Sequence, residues 1–244
     1  MTKSFQSPPV HSKLPNTMVS IFSQMSALAE KYQALNLSQG FPNYPVSPEL
    51  IALVNTYMKK GYNQYAPMAG MIGLRERIAQ KIQTMYGLDV HPEREITITA
   101  GATQGIFTTI ATLIRPGDEV IVFEPAYDSY RPSVELFGGK VIPIRLLAPD
   151  FQIDWAYVRS AMTEKTRLII INNPNNPSTK MLHRDDLLQL ESLLKNSEAF
   201  LLSDEVYEHI VFDGHAHQTV LSYPLLRERS YLVVSFGKLL HTTG

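Results

Sequence analysis

The 244-residue sequence lacks cysteine entirely and contains a single tryptophan. Without cysteine the chain can form neither disulfide bonds nor thiolate metal sites, and this composition fits the reducing cytoplasm. Its 22 basic and 23 acidic residues leave a formal net charge of −1, so no excess charge attracts nucleic acid or an anionic membrane surface. No apolar run approaches the roughly 20 residues that span a bilayer. We therefore expect a cytoplasmic protein with small-molecule partners, no nucleic acid, no membrane and no metal.

Beyond a polar, proline-rich arm at 1–17, which does not look like a secretory signal, strand-like apolar runs alternate with stretches of helical spacing. The predicted strands are 95–99, 120–123, 140–144, 167–171, 200–203 and 231–234. The predicted helices include 21–32, 48–59, 71–86, 154–162, 185–195 and one that begins near Gly101. This alternation is typical of an α/β fold with a mostly parallel sheet, helices on both faces and right-handed crossovers.

Lys238 lies in the run Ser235-Phe236-Gly237-Lys238, directly after the last predicted strand. A strand that is covered on both faces reads as a continuous apolar run, and open α/β sheets bind ligands just beyond the carboxyl ends of their strands. Lys238 is therefore our candidate for a covalent centre. The alternative is a surface lysine that happens to follow a strand.

The ends of the first two predicted βα units carry residues suited to a flat, anionic ligand. Gly101, Ala102 and Thr103 begin a helix, where free N–H groups and the helix dipole favour a phosphate, although ordinary capping also explains them. Tyr127 follows the next strand, where its ring predicts either stacking on a flat ligand or packing in the core.

Two later strands end in polar groups. The run Asn172-Asn173-Pro174-Asn175-Asn176-Pro177-Ser178 predicts a rigid turn whose amides bind a ligand oxygen, or an ordinary turn without a ligand. Asp204 ends an apolar strand, where a carboxylate needs a cation or a hydrogen-bond donor. A helix N-cap is the alternative role for Asp204.

Pyridoxal 5′-phosphate (PLP) suits all of these groups, because it combines a planar ring, a phosphate, a basic ring nitrogen, a phenolic oxygen and an aldehyde that condenses with an amine. At these residues the sequence resembles the fold-type I aminotransferases of class I/II, in the branch of methionine and kynurenine aminotransferase-like enzymes. The resemblance extends over essentially the whole chain, in the order Gln39-Gly40-Phe41-Pro42, Tyr65, Gly101-Ala102-Thr103, Glu124-Pro125, Asn175-Asn176-Pro177, Asp204-Glu205-Val206-Tyr207 and Ser235-Phe236-Gly237-Lys238. It implies the large domain of the PLP-dependent transferase-like fold.

The resemblance implies a role for each residue around the cofactor ring. Lys238 would form the PLP–lysine aldimine and then carry the substrate proton as general base and acid. Asp204 would pair with the pyridine nitrogen and keep it protonated. Tyr207 and Asn176 would bind the phenolic oxygen, while Tyr127 would stack on the ring.

The family's remaining roles concern the phosphate and the substrate. Gly101 belongs to the cofactor-binding turn in which Ala102, Thr103 and Ser235 would hold the phosphate. Tyr65 would reach in from a second subunit, which implies a homodimer in the full-length protein. Gly40, together with Asn176, would bind the substrate carboxylate.

We further expect an N-terminal arm and small-domain segment at 1–45 and a large PLP-binding domain at 46–244. The resemblance implies that the rest of the large domain and the small domain, with the arginine that binds the substrate carboxylate, lie beyond this sequence. Thr179 stands where the family usually has glycine, and a positive φ there would strain a threonine.

The implied function is an aminotransferase that moves an amino group between an amino acid and a 2-oxo acid, with a methionine or aromatic donor favoured. Two alternatives remain open at this point. One is a PLP-binding fragment without catalysis, and the other is a PLP-dependent carbon–sulfur β-lyase.

Overall fold

The computed structural model describes residues 9, 11–15, 19–40 and 42–243. The chain divides into two compact units, Met1–Phe41 and Pro42–Gly244. In the described part of the first unit, helix α1 spans Ile21–Lys31, close to the predicted 21–32. The Ser20 hydroxyl begins it by accepting a hydrogen bond from the Ser23 N–H at 3.2 Å. Most of the predicted arm at 1–17 lies outside the described residues.

The second unit follows the predicted alternation of helices and strands, which supports the sequence-based assignment of most elements. Its elements are α2 (Pro48–Lys59), α3 (Ile72–Tyr86), α4 (Gly101–Leu113), β1 (Glu119–Glu124), α5 (Tyr130–Leu136), β2 (Lys140–Arg145), α6 (Trp155–Ala161), β3 (Thr166–Asn172), α7 (Arg184–Lys195), β4 (Phe200–Asp204), a 3-10 turn (Val220–Ser222), α8 (Pro224–Arg229), β5 (Ser230–Val233) and α9 (Phe236–Leu239). Gly87, with φ 69°, ends α3 in the left-handed conformation that glycine adopts without strain.

All pairings in the described five-stranded sheet are parallel, in the order β2-β1-β3-β4-β5. Asn172 at the end of β3 lies beside Asp204 at the end of β4, and Asp204 lies beside Val233 at the end of β5. The predicted mostly parallel α/β sheet is therefore confirmed. Because the strands run in one direction, the polar residues at their carboxyl ends meet along one edge.

Helices cover both faces of the sheet, as predicted. Successive residues of β3 alternate between the two faces: Ile169 and Ile171 pack in a cluster with α6, α7 and α8, whereas Leu168 and Ile170 pack in a cluster with α4 and α5. These four side chains are at most 2% exposed. Burial of each contributes roughly 2 kcal/mol to folding.

Two predictions about the strands were wrong. Residues 95–99 form no strand, because the Ile98 N–H bonds to the Ala69 carbonyl at 3.0 Å instead of joining a neighbouring strand. The last strand, β5, is not a buried strand: within the described sheet it lies at the edge and pairs with β4 alone, none of its residues is fully buried, and Tyr231 is 41% exposed. Lys238 consequently follows an edge strand, within the short helix α9.

Candidate active site at the carboxyl edge of the sheet

Asp204 is a deeply buried acidic group at this edge, with only 3% of its surface exposed. The Tyr130 hydroxyl donates to its Oδ2 at 2.6 Å, and the Val206 N–H donates to its Oδ1 at 3.3 Å. Burial raises the pKa of the Asp204 carboxyl, whereas these two hydrogen bonds lower it. The carboxylate is thus held by neutral donors, without a direct salt bridge to a cation among the described residues.

The polar turn after β3 is hydrogen-bonded to the end of β4. Asn172 Nδ2 donates to the Asp204 carbonyl at 2.9 Å, and the Asn173 N–H donates to the same carbonyl at 2.9 Å. Asn172 Oδ1 in turn accepts from the Asn176 N–H at 2.6 Å. Asn172, buried at 8% exposure, therefore fixes the backbone of Asn176 relative to Asp204.

Three of the residues named from the sequence, Asn176, Tyr207 and Lys238, lie near Asp204 or near one another. The Asn176 side chain lies near the Tyr207 hydroxyl. Burial raises the pKa of Tyr207 and the charge of Asp204 raises it further, whereas the nearby Asn176 side chain lowers it. Lys238 Nζ lies 5.6 Å from the centroid of the Tyr207 ring, close enough for a cation–π contact.

The N-terminus of α4 offers free backbone donors. Gly101 starts the helix with φ 77°, and its predecessor Ala100 has no side-chain oxygen that caps the first turn. The N–H groups of Ala102 and Thr103 fall in that first turn, which has no intrahelical acceptors. A Cβ placed on Gly105 would lie 3.6 Å from a Val233 methyl group, so α4 passes directly beside β5.

Ser235 lies two residues beyond the end of β5 and precedes α9 as its N-cap residue. Its hydroxyl makes no capping bond to that helix. An uncapped helix N-terminus beside a serine hydroxyl is suited to an anion such as phosphate.

Tyr127 is partly buried and packs against the cluster of α4 and α5. Core packing, one of the two roles considered from the sequence, therefore accounts for part of its position. Its ring meets the Tyr130 ring edge-on, with centroids 5.7 Å apart and an interplanar angle of 76°. Sequence reasoning missed Tyr130, which is 2% exposed. The available signal was the need of a buried Asp204 for a donor, together with a second tyrosine three residues after Tyr127.

Glu205 was quoted only as part of a motif, yet it forms a second buried polar cluster next to Asp204. It is 1% exposed, and its Oε1 accepts from the Ser203 hydroxyl at 2.9 Å and from the Val220 N–H at 3.0 Å. Its Oε2 lies 2.8 Å from His217 Nε2, and the His217 side chain is 4% exposed. This cluster anchors the segment that follows β4.

Among the described residues of the second unit, Tyr65 does not contact this group. Tyr65 belongs to the second unit, and its side chain is fully exposed, at 101%. Gly40 belongs to the first unit, and Phe41 of the same predicted motif lies outside the described residues. Thr179 adopts φ 62°, so the turn keeps the positive φ that favours glycine.

The described residues contain no group of three or more histidine and acidic side chains placed to hold a metal ion. No helix in this part of the chain has both the length and the hydropathy needed to cross a membrane.

Comparison with known proteins gives a consistent assignment. The family model described as aminotransferase class I and II matches residues 32–244. A methionine aminotransferase of Escherichia coli (strain K12) is 47% identical over 233 residues, which cover 96% of this chain and 60% of the relative. Kynurenine–oxoglutarate transaminase 1 of Mus musculus is 31% identical over 235 residues, which cover 91% of this chain and 55% of the relative.

A solved structure shows the same fold. The crystal structure of YbdL from Escherichia coli, identified with a methionine aminotransferase function, superposes with a TM-score of 0.93 at 46% identity. The match covers 98% of this chain and 62% of that one. The present chain thus spans about 60% of the length of the methionine aminotransferase that it matches.

Proposed function

This chain belongs to the class I and II aminotransferases, and from that premise we propose that it binds PLP at Lys238 and moves an amino group between an amino acid and a 2-oxo acid. One observation carries the proposal. The Asp204 carboxylate is only 3% exposed and lies at the carboxyl edge of the sheet, where Lys238 follows the last strand. Among the described contacts its Oδ1 accepts only a weak hydrogen bond, at 3.3 Å. A carboxylate so placed is suited to a ring N–H.

The donor groups at the edge fit this cofactor. Asp204 would accept from the pyridine nitrogen, while Tyr207 and Asn176 would bind the phenolic oxygen and Tyr127 would lie against the ring. The coenzyme, when bound, supplies an electron-accepting ring that stabilises negative charge at the substrate α-carbon. Lys238 would first hold the aldehyde covalently and then remove and return the α-proton at its Nζ.

The phosphate would lie at the N-terminus of α4. The N–H groups of Ala102 and Thr103, with Gly101 opening the turn, and the Ser235 hydroxyl are the proposed donors. A helix N-terminus favours a dianion electrostatically as well as by hydrogen bonding. The substrate carboxylate would be bound by Gly40 and Asn176.

We also propose that the protein acts as a homodimer in which Tyr65 contributes to the second subunit's site. Tyr65 and Met68 are both fully exposed, at 101%, in a loop that precedes α3. Helix α2 buries none of its own residues, which leaves an apolar surface for such an interface. The proposed domain division remains 1–45 and 46–244.

The favoured donor is methionine, supported by the 47% identity to the methionine aminotransferase, with an aromatic amino acid as the alternative. We place the reaction in cytoplasmic amino acid metabolism and biosynthesis. A second candidate, PLP binding without turnover, is favoured by one fact: the chain spans 60% of that relative's length. The two candidates share the cofactor site and differ in catalysis.

The test begins with cofactor attachment. The purified protein is incubated with PLP and reduced with borohydride, and peptide mass spectrometry is expected to find the adduct on Lys238. The variant K238A should carry no adduct, while K140A, which removes an exposed lysine of β2, should behave as wild type. An adduct distributed over surface lysines would reject the proposed site.

Turnover is then measured with methionine, tyrosine and kynurenine against a panel of 2-oxo acids. Oxo acid formation that depends on an acceptor supports the aminotransferase. A specific Lys238 adduct without turnover supports the binding fragment. Release of a thiol, ammonia and an oxo acid from a sulfur amino acid without an acceptor indicates a β-lyase and rejects the aminotransferase.

A further inference from the structure

Tyr130 connects two groups proposed to contact the cofactor. Its hydroxyl donates to Asp204 Oδ2 at 2.6 Å, and its ring lies edge-on against Tyr127 at a centroid distance of 5.7 Å. It is the first residue of α5 and is 2% exposed, packed in the cluster between that helix and the sheet. Its position is therefore fixed by the core rather than by a ligand.

The two oxygens of Asp204 have unequal partners. Oδ2 accepts a short bond from a hydroxyl, whereas Oδ1 accepts a longer one, at 3.3 Å, from the Val206 N–H. A short O–H···O⁻ bond is among the stronger hydrogen bonds in proteins and fixes the carboxylate plane. Oδ1 is left as the better acceptor for an incoming N–H group.

We propose that Tyr130 is a positioning residue that orients Asp204 so that Oδ1 binds the ring nitrogen of PLP, and that the same ring supports Tyr127 against the cofactor face. This inference rests on the proposed function, because it concerns the same site. Burial, reinforced by Asp204, raises the pKa of the Tyr130 hydroxyl, so it stays a donor over the working pH range.

The test compares Y130F with Y223F. Tyr223 is a buried tyrosine of the opposite core cluster, 8% exposed, whose hydroxyl bonds Gln218 Oε1 at 3.1 Å, so it controls for loss of a tyrosine hydroxyl. Two readouts are used: the dissociation constant of PLP, and the ¹⁵N chemical shift of ring-labelled PLP on the protein. A role confined to folding would leave the second readout unchanged.

We expect Y130F to weaken PLP binding about 10-fold or more, the size of a lost bond to a charged group, and to move the ring ¹⁵N signal toward the unprotonated position. Y223F should match wild type in both. In a D204N background the effect of Y130F should fall below about twofold, because it acts through Asp204. If Y130F and Y223F give the same affinity and the same ¹⁵N signal, the inference is overturned.

If Y130F does not fold, 3-fluorotyrosine at position 130 replaces it. This residue keeps the shape and is a stronger donor, so the ring ¹⁵N signal should move toward the protonated position; an unchanged signal overturns the inference. Wild-type protein that does not bind PLP rejects the proposed function and the inference together. Wild-type binding with no effect at Tyr130 rejects the inference alone.

Discussion

The Tyr130 hydroxyl lies 2.6 Å from Asp204 Oδ2, although 74 residues separate the two in the sequence. The bond joins the start of α5 to the end of β4, and both residues are at least 97% buried. It satisfies two polar groups that would otherwise be costly to bury. Several measurable properties depend on it and on its neighbours.

Tyr130 should make stability fall at alkaline pH. Burial raises its pKa in the folded state above the ordinary 10.0. Between these two pKa values the folded protein binds more protons than the unfolded chain, so the free energy of unfolding falls as pH rises above about 10, by up to about 1.4 kcal/mol per pH unit. Urea unfolding of Y130F should show a shallower fall than wild type. Equal slopes would contradict the assignment.

Asp204 should destabilise the protein when no cofactor is added. Burial raises its pKa above the ordinary 3.8, so the folded state binds more protons than the unfolded one and the free energy of unfolding falls as pH rises through that window. D204N removes the buried charge and should melt higher than wild type at neutral pH without PLP. With PLP the order should reverse. A lower melting temperature for D204N in both conditions argues against this account.

Disruption of the Glu205–His217 pair should lower the free energy of unfolding strongly, because both side chains are buried. H217L leaves the Glu205 carboxylate without its ring donor and should cost about 3–5 kcal/mol of unfolding free energy. The surface pair Arg131–Glu124, at 2.6 Å but with 45% and 33% of the side chains exposed, is the control. R131A should cost at most about 1 kcal/mol in the same urea titration. Similar costs for both variants would show that burial is not the cause.

Replacement of Thr179 by glycine should increase the stability of the protein. Its φ of 62° is strained for a β-branched side chain, which here is exposed and makes no hydrogen bond among the described contacts. T179G should stabilise the protein by about 1 kcal/mol, with T179A between the two because alanine lacks the β-branch. Thermal unfolding measures the order. A destabilised T179G would mean that the turn does not carry this strain in solution.

A side chain at position 70 should lower the free energy of unfolding. It has φ 91°, and an added Cβ would lie 2.6 Å from Ile98 Cβ. G70A should cost about 2–4 kcal/mol, combining the strained φ with overpacking. Gly61, with φ 84° and open space around it, is the matched control, and G61A should cost only about 1 kcal/mol. The difference between the two costs, measured by urea unfolding, isolates the contact with Ile98.

The sequence predicted most of the fold because apolar periodicity reports directly on burial. The parallel strands Thr166–Asn172 and Phe200–Asp204 read as continuous apolar runs, and both are covered on two faces. The prediction failed at 95–99, where the alternating residues resemble a strand but pair with no strand of the described sheet. Strand pairing is a property of the neighbours, which the periodicity of one segment does not contain.

The sequence by itself also determined which chemical groups stand at the strand ends, because an ordered set of motifs led from Gly101 to Lys238. It did not contain the partners of those groups. Only the tertiary structure decided that Tyr130 hydrogen-bonds to Asp204 and that His217 contacts Glu205, since each pair joins segments that come together through packing. Motifs record residues that touch a ligand, whereas the bonds that hold them depend on distances that only the folded chain sets.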